Sequence, residues 1–188
     1  MKRAFILLFF MLGCLVIESK AQKIAVKSNL LYDATTTVNL GLEFGLARKW
    51  TLDIPVNYNP WKPDNGRRLR HWGVQPEVRY WFCESFHRTF VGLHGHYADF
   101  NVGGLPGIFS KNMQKNRYQG HLYGGGISVG HSWILKKRWS IEASVGLGYA
   151  RIEYEKYPCA ECGSKLKDTG RNYFGPTKAA LSIIYLIK

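Results

Sequence analysis

The chain has 188 residues, a formal net charge of +13, 14% aromatic residues and 20 glycines. Beyond its first segment no stretch approaches 18 consecutive apolar residues, which excludes a helical membrane span there, and the length fits one domain. High aromatic and glycine content instead points to an all-β chain, in which closure into a barrel removes adhesive strand edges.

Lys2 and Arg3 precede an apolar run over residues 4–17, and Ser19-Lys20-Ala21 ends it with small residues where a signal peptidase reads. This predicts a signal peptide over residues 1–21, cleaved before Gln22, and a mature domain over 22–188. A span-forming anchor would need a longer run. A lipoprotein signal would acylate Cys14, but Leu15, Val16 and Ile17 continue the apolar run past it.

Residues 24–34 read as the first strand. Val38, Leu40, Leu42, Phe44 and Leu46 then alternate with Asn39, Gly41, Glu43 and Gly45, and Trp50, Leu52, Ile54, Val56 and Tyr58 alternate with Thr51, Asp53, Pro55 and Asn57. A period of two places each set on one strand face, with Ala47-Arg48-Lys49 as the turn. These runs exceed ordinary strands and suit about 9–11 residues crossing a bilayer at a tilt. A turn-rich stretch over 59–66 leads through Arg67, Arg68 and Arg70 to a fourth strand over 72–82, and a fifth carries Val91, Leu93 and Tyr97 opposite Gly92, His94 and His96. A polar loop over 99–119 holds Lys111, Lys115 and Arg117. The sixth strand covers 121–134, the seventh starts at Trp139, a loop over 156–172 holds Cys159 and Cys162, and the eighth ends the chain.

Connections alternate between short and long, the asymmetry of an outer-membrane barrel. Arg48-Lys49-Trp50-Thr51-Leu52-Asp53 also matches Lys137-Arg138-Trp139-Ser140-Ile141-Glu142 in order and chemistry, each placing a Trp in a lower girdle with cations beyond it. Tyr58, Trp61, Trp72, Tyr97 and Tyr149 suit an upper girdle. The expected fold is an eight-stranded antiparallel up-and-down transmembrane β-barrel. Eight strands enclose a lumen just filled by side chains. Glu43, Asp53, Glu77, Arg79, Glu142 and Lys178 fall on the inward face, which predicts a paired polar network plugging it. A soluble cup of the lipocalin type would point the apolar sets inward instead.

The segments Lys27-Ser28-Asn29-Leu30-Leu31-Tyr32-Asp33-Ala34 and Gly175-Pro176-Thr177-Lys178-Ala179-Ala180-Leu181-Ser182 resemble the two ends of a domain-of-unknown-function family of Bacteroidetes exported proteins. That family is similar in architecture to small OmpA/OmpX-type barrels. The resemblance covers the mature chain and implies an outer-membrane location, with no established activity. Many barrels end on an aromatic residue, whereas this chain ends Ile187-Lys188, with Tyr185 as the nearest substitute.

Candidate chemistry is sparse. His94 and His96 share a face but lack a third metal ligand, and Cys159 and Cys162 suit a small loop disulfide in an exported protein. No cofactor is called for. Adjacent His131 and Ser132 point to opposite faces, which disfavours the triad a lipid A-modifying barrel enzyme would need. A narrow pore or transport accessory is the other alternative. Arg67, Arg68, Arg70, Lys111, Lys115 and Arg117 are candidates for contact with outer-membrane lipids, lipopolysaccharide phosphates, or an anionic surface glycan or protein partner. Nucleic acid is not expected, since the cations sit on loops of an exported protein without a recognised motif.

Overall fold

The period-two alternation becomes nine strands and one short helix: β1 (Ile24–Asn29), α1 (Leu30–Ala34), β2 (Val38–Ala47), β3 (Trp50–Asn59), β4 (Arg68–Val74), β5 (Glu77–Trp81), β6 (Arg88–Gly103), β7 (Arg117–Lys136), β8 (Trp139–Tyr157) and β9 (Lys167–Leu186). The structure is a computed structural model that describes residues 23–61, 68–103, 116–157 and 167–187. The segment over residues 1–21, Arg67, Lys111, Lys115, Cys159 and Cys162 lie outside the described residues.

All pairings are antiparallel, and β1 closes the sheet into a ring by pairing with β2 on one side and β9 on the other. Nine strands make eight staves. Strands β4 and β5 stand end to end, each bonded to β3 and β6, and Gln75-Pro76 separates them. Pro76 has no N–H to give, so the ladder breaks there. Gln75 N still donates to Pro55 O at 3.1 Å, and Gly95 N to Pro76 O at 3.0 Å, which holds the stave in line.

The strand boundaries differ from the sequence reading in three respects. The first strand stops at Asn29, whose side chain accepts from Leu31 N at 3.2 Å and starts α1. The fourth strand begins at Arg68, so Arg68 and Arg70 lie on a strand rather than in a loop. Strands β6 to β9 run on through segments that read as loops, which also places Arg117 on β7. The reason is a reversal of polarity. Above Tyr97 and Tyr123, the outer face carries Asp99, Asn101, Gln119, His121 and Glu153, while Ala98, Phe100, Leu122, Ile152 and Tyr154 share the inner one. Polar residues at alternate positions there are the outside of a strand, not a loop.

Below that level the arrangement is opposite. Leu93 and Ile127 are each 67% exposed on the outer face, whereas Glu43 is 0% exposed and Arg79 1% exposed on the inner one. The outward direction of the apolar sets is the reverse of a lipocalin-type cup. At the end with the short turns, Trp81 and Phe90 fill the lumen with ring centroids 4.8 Å apart, and Phe86 closes it from beneath. Phe86 sits at φ 67°, a costly conformation for a bulky residue, and its burial beneath Trp81 offsets that cost.

The inner wall is built to leave room. A Cβ on Gly92 would lie 2.6 Å from Ser128 Oγ and 2.7 Å from the Glu77 carboxylate. Gly92→Val therefore forces the interior apart and is expected to cost at least about 1–3 kcal/mol, read as a lower urea midpoint of the detergent-folded barrel. An unchanged midpoint would show that the wall is not close-packed at this point.

Candidate functional site: an ionic layer beneath an open vestibule

The inward faces of six staves supply one continuous cluster of charge. Arg79 on β5 is its centre. Its Nε donates to Glu77 Oε1 at 2.6 Å, its Nη1 to Glu43 Oε2 at 3.0 Å and Glu142 at 3.2 Å, and its Nη2 to Asp53 Oδ2 at 2.5 Å. Lys27 on β1 joins Glu43 and lies 3.1 Å from Glu142 and 3.7 Å from Asp53. Lys178 on β9 donates to the free oxygen of Glu77 at 2.5 Å. All six sequence-derived candidates, Glu43, Asp53, Glu77, Arg79, Glu142 and Lys178, thus meet in one layer.

The layer is tied to the aromatic floor. Thr51 Oγ1 donates to Glu43 and accepts from Trp81 Nε1 at 2.9 Å, and the Arg79 guanidinium lies 4.4 Å over the Phe90 ring. Burying a charge is tolerable only when close partners replace the lost water. Here one guanidinium fork serves four carboxylates, a geometry that lysine's single ammonium cannot reproduce.

Lys27 was absent from the sequence-derived set. On β1, Ala25, Lys27 and Asn29 point inward and Ile24 and Val26 outward, but reading the strand on through residues 30–34 blurs that parity. Thr177 had no signal at all. A bulge lets β9 present two successive residues inward: Lys178 pairs across from Gly146 and Pro176 from Leu147, leaving Thr177 as the extra residue. Its Oγ1 lies 3.0 Å from His94 Nε2, and its carbonyl accepts from Gln75 Nε2 at 3.0 Å.

His94 and His96 both face the lumen, and His94 Nδ1 is 3.7 Å from Glu77. Among the described residues no group of three His, Cys, Asp or Glu side chains is placed to hold a metal ion. His131 Nδ1 bonds Thr89 Oγ1 at 2.9 Å, whereas Ser132 is buried on the opposite face and Glu142 is engaged in the ionic layer. Of the basic candidates, Arg70 is exposed on β4 and Arg117 lies 4.3 Å over the Tyr157 ring. For Arg68 only the strand position is described.

Above the ionic layer the lumen widens into a vestibule of about 760 Å³. Its floor is Lys27, Asp53, Arg79, Glu142 and Lys178, and its walls include Asn39, Asn57, Gln75, Leu69 and Val102. Two levels therefore share one lumen: a sealed charged layer and an open cup. Asp53 reaches both. Its Oδ2 bonds Arg79, while Oδ1 has no partner.

Removing the central cation would leave four buried carboxylates with only Lys27 and Lys178 to balance them. Arg79→Met is expected to destabilise the folded barrel by about 3–5 kcal/mol. Arg48→Ala breaks only the exposed pair with Glu84 at 3.2 Å and is expected to cost about 1 kcal/mol or less. Urea unfolding of both variants in detergent checks this; similar midpoints would mean that the interior layer carries no special weight.

Searches of curated proteins and of solved structures give no match. A family model described as a protein of unknown function, DUF3575, matches residues 5–187. With almost the whole chain covered, the protein belongs to the DUF3575 family.

Proposed function

We propose that the protein is an outer-membrane β-barrel of a Gram-negative bacterium, plugged by its ionic layer, with a structural or surface-interaction role exercised from the rim that carries the longer connections. The observation that carries this reading is the inverted polarity of the barrel. A belt including Leu40, Val78, Leu93, Ile127, Val145 and Leu147 faces outward and exposed, while charge is buried within. In water such a surface would be an aggregation hazard; against lipid tails it is the expected surface.

The belt has the right height. Trp139 and Tyr149 stand ten residues apart on β8. At about 3.3 Å per residue and a tilt of about 40°, that distance corresponds to about 25 Å across the bilayer, the usual apolar band. Trp50, Trp133 and Trp139 lie along one margin, and Tyr58, Trp72, Tyr97, Tyr123 and Tyr149 along the other, all exposed. Beyond the second margin the outer face turns polar, which suits emergence into an aqueous headgroup region.

Arg70 and Arg117 stand beyond that same margin, together with the strand position of Arg68. With Arg67, Lys111 and Lys115 in the connections, they suit contact with lipopolysaccharide phosphates or with an anionic glycan or protein at the cell surface.

The test is gel migration of cell fractions, boiled and unboiled, probed for this protein. The expected result is enrichment in the outer-membrane fraction with a boiling-dependent shift, and no steady single-channel conductance after reconstitution. A soluble periplasmic protein without the shift would overturn the membrane assignment, and a steady conductance would overturn the plug.

A further inference from the structure

We propose that the vestibule takes an acyl chain of a bilayer lipid, admitted sideways through a seam in the barrel wall above β1. This rests on the membrane assignment and adds to it a ligand and a route.

The seam follows from the shortness of β1. That strand pairs with β9 from Ala25↔Leu186 to Asn29↔Ser182, and with β2 from Ile24↔Phe44 to Lys27↔Gly41. Beyond Asn29 the chain leaves the sheet as α1, so β9 above Ser182 is paired with β8 alone. Among the described residues no ladder joins β9 to β2 across the gap. One turn of helix covers it, and no residue of α1 is buried.

A bare strand edge does not persist in hydrocarbon unless its backbone groups find other partners. This edge has them. Leu181 N donates to Asn29 Oδ1 at 3.1 Å, and Ala179 O accepts from Asn29 Nδ2 at 3.5 Å. Thr177 O accepts from Gln75 Nε2 at 3.0 Å, Tyr173 Oη donates to Pro176 O at 3.3 Å, and Pro176 has no N–H to satisfy. Side chains do here what a neighbouring strand does elsewhere.

The seam lies at bilayer height. On β8, Trp139 and Tyr149 mark the two margins of the belt, and β9 from Phe174 to Leu181 pairs with β8 from Tyr149 to Ala143, between them. Its surroundings are apolar and exposed: Val38 and Leu40 on β2, Leu31 on α1, and Phe174, 82% exposed, on β9. The vestibule lies directly behind. Leu31 and Tyr32 of α1 and Pro176, Ala179 and Ala180 of β9 line it at the seam, and Leu69 and Val102 line it on the far wall. A mainly apolar cavity of about 760 Å³, separated from the lipid phase by one helical turn, suits a hydrocarbon chain. The charged floor is paired within itself and sets the depth to which a chain can descend.

The test reconstitutes the full mature chain in phosphatidylcholine vesicles in which part of the lipid carries a diazirine at the end of one acyl chain. After illumination, adducts are located by peptide mass spectrometry. Adducts at Leu69 and Val102 are expected beside those at the outward Leu93 and Ile127, which serve as the internal standard. Ala180→Trp fills the cavity next to the seam. It is expected to lower the Leu69 and Val102 signal by about tenfold or more relative to that standard, since displacing about two methylene groups is worth that much. Adducts confined to the belt, or an unchanged ratio in the folded variant, would overturn the proposal. So would labelling of the vestibule by a diazirine-bearing octanoate added in water but not by the phospholipid, because the chain would then enter from the open mouth. If Ala180→Trp does not fold, Leu69→Trp, read at Val102, decides in its place. Belt adducts and a boiling-dependent shift without vestibule adducts would reject the seam and leave the membrane assignment standing; absence of both belt adducts and the shift would reject the two together.

Discussion

Everything inside this barrel depends on the pairing of Arg79 with four carboxylates. An eight-stave ring encloses a space so narrow that side chains from opposite walls touch, and water has no room to solvate a charge there. Glu43, Asp53, Glu77 and Glu142 could not share that space with one another alone. The guanidinium resolves this because its donors fan out in a plane, reaching β2, β3, β5 and β8 simultaneously. The layer thereby crosses the lumen and ties staves that are distant in sequence, such as Glu43 and Glu142. Small residues elsewhere on the wall follow from the same constraint: Glu77 and Ser128 occupy the space that a side chain at Gly92 would need.

The two ends of the lumen answer different requirements. At the end with tight turns, Phe86 folds under Trp81, and the hydrogen bond from Trp81 to Thr51 joins this apolar seal to the charged layer. At the other end, the staves do not stop where the outward apolar belt stops. Strands β6 to β9 continue, and on β6, β7 and β8 the polarity reverses so that apolar side chains turn inward. The reversal couples two properties. It gives the projecting wall a polar exterior suited to water, and it turns Val102 into the upper cavity, where its partner on β4, Leu69, joins it above a charged floor.

Much of this was legible as alternation. Period two on β2, β3, β7 and β8 separates Glu43, Asp53 and Glu142 from Leu, Ile, Val and Trp neighbours without reference to any tertiary contact. The matched Trp50 and Trp139 turns likewise locate one margin of the belt. What alternation cannot convey is a change in its meaning. Asp99, Asn101 and Gln119 resemble a loop because polar residues at alternating positions signal a strand only when the intervening ones are known to be covered. The cover comes from neighbouring staves, information that no single segment contains. Lys27 was lost for a related reason: five residues of α1 continue the apolar look of β1 while leaving the sheet, so the parity of the strand was ambiguous until Asn29 was seen to cap it.

The remaining features arise from irregularities that face each other across the wall. Pro76 breaks the fourth stave just where β9 carries its extra residue, and Gln75 reaches Thr177 O at 3.0 Å between them. A regular β9 would send one of two adjacent residues outward. With the bulge, Thr177 reaches His94 while Lys178 still reaches Glu77, so one strand serves both the charged layer and the histidine above it. Gln75, Pro176, Thr177 and Lys178 all line the vestibule, so both irregularities lie where the sealed charged layer gives way to the open cup.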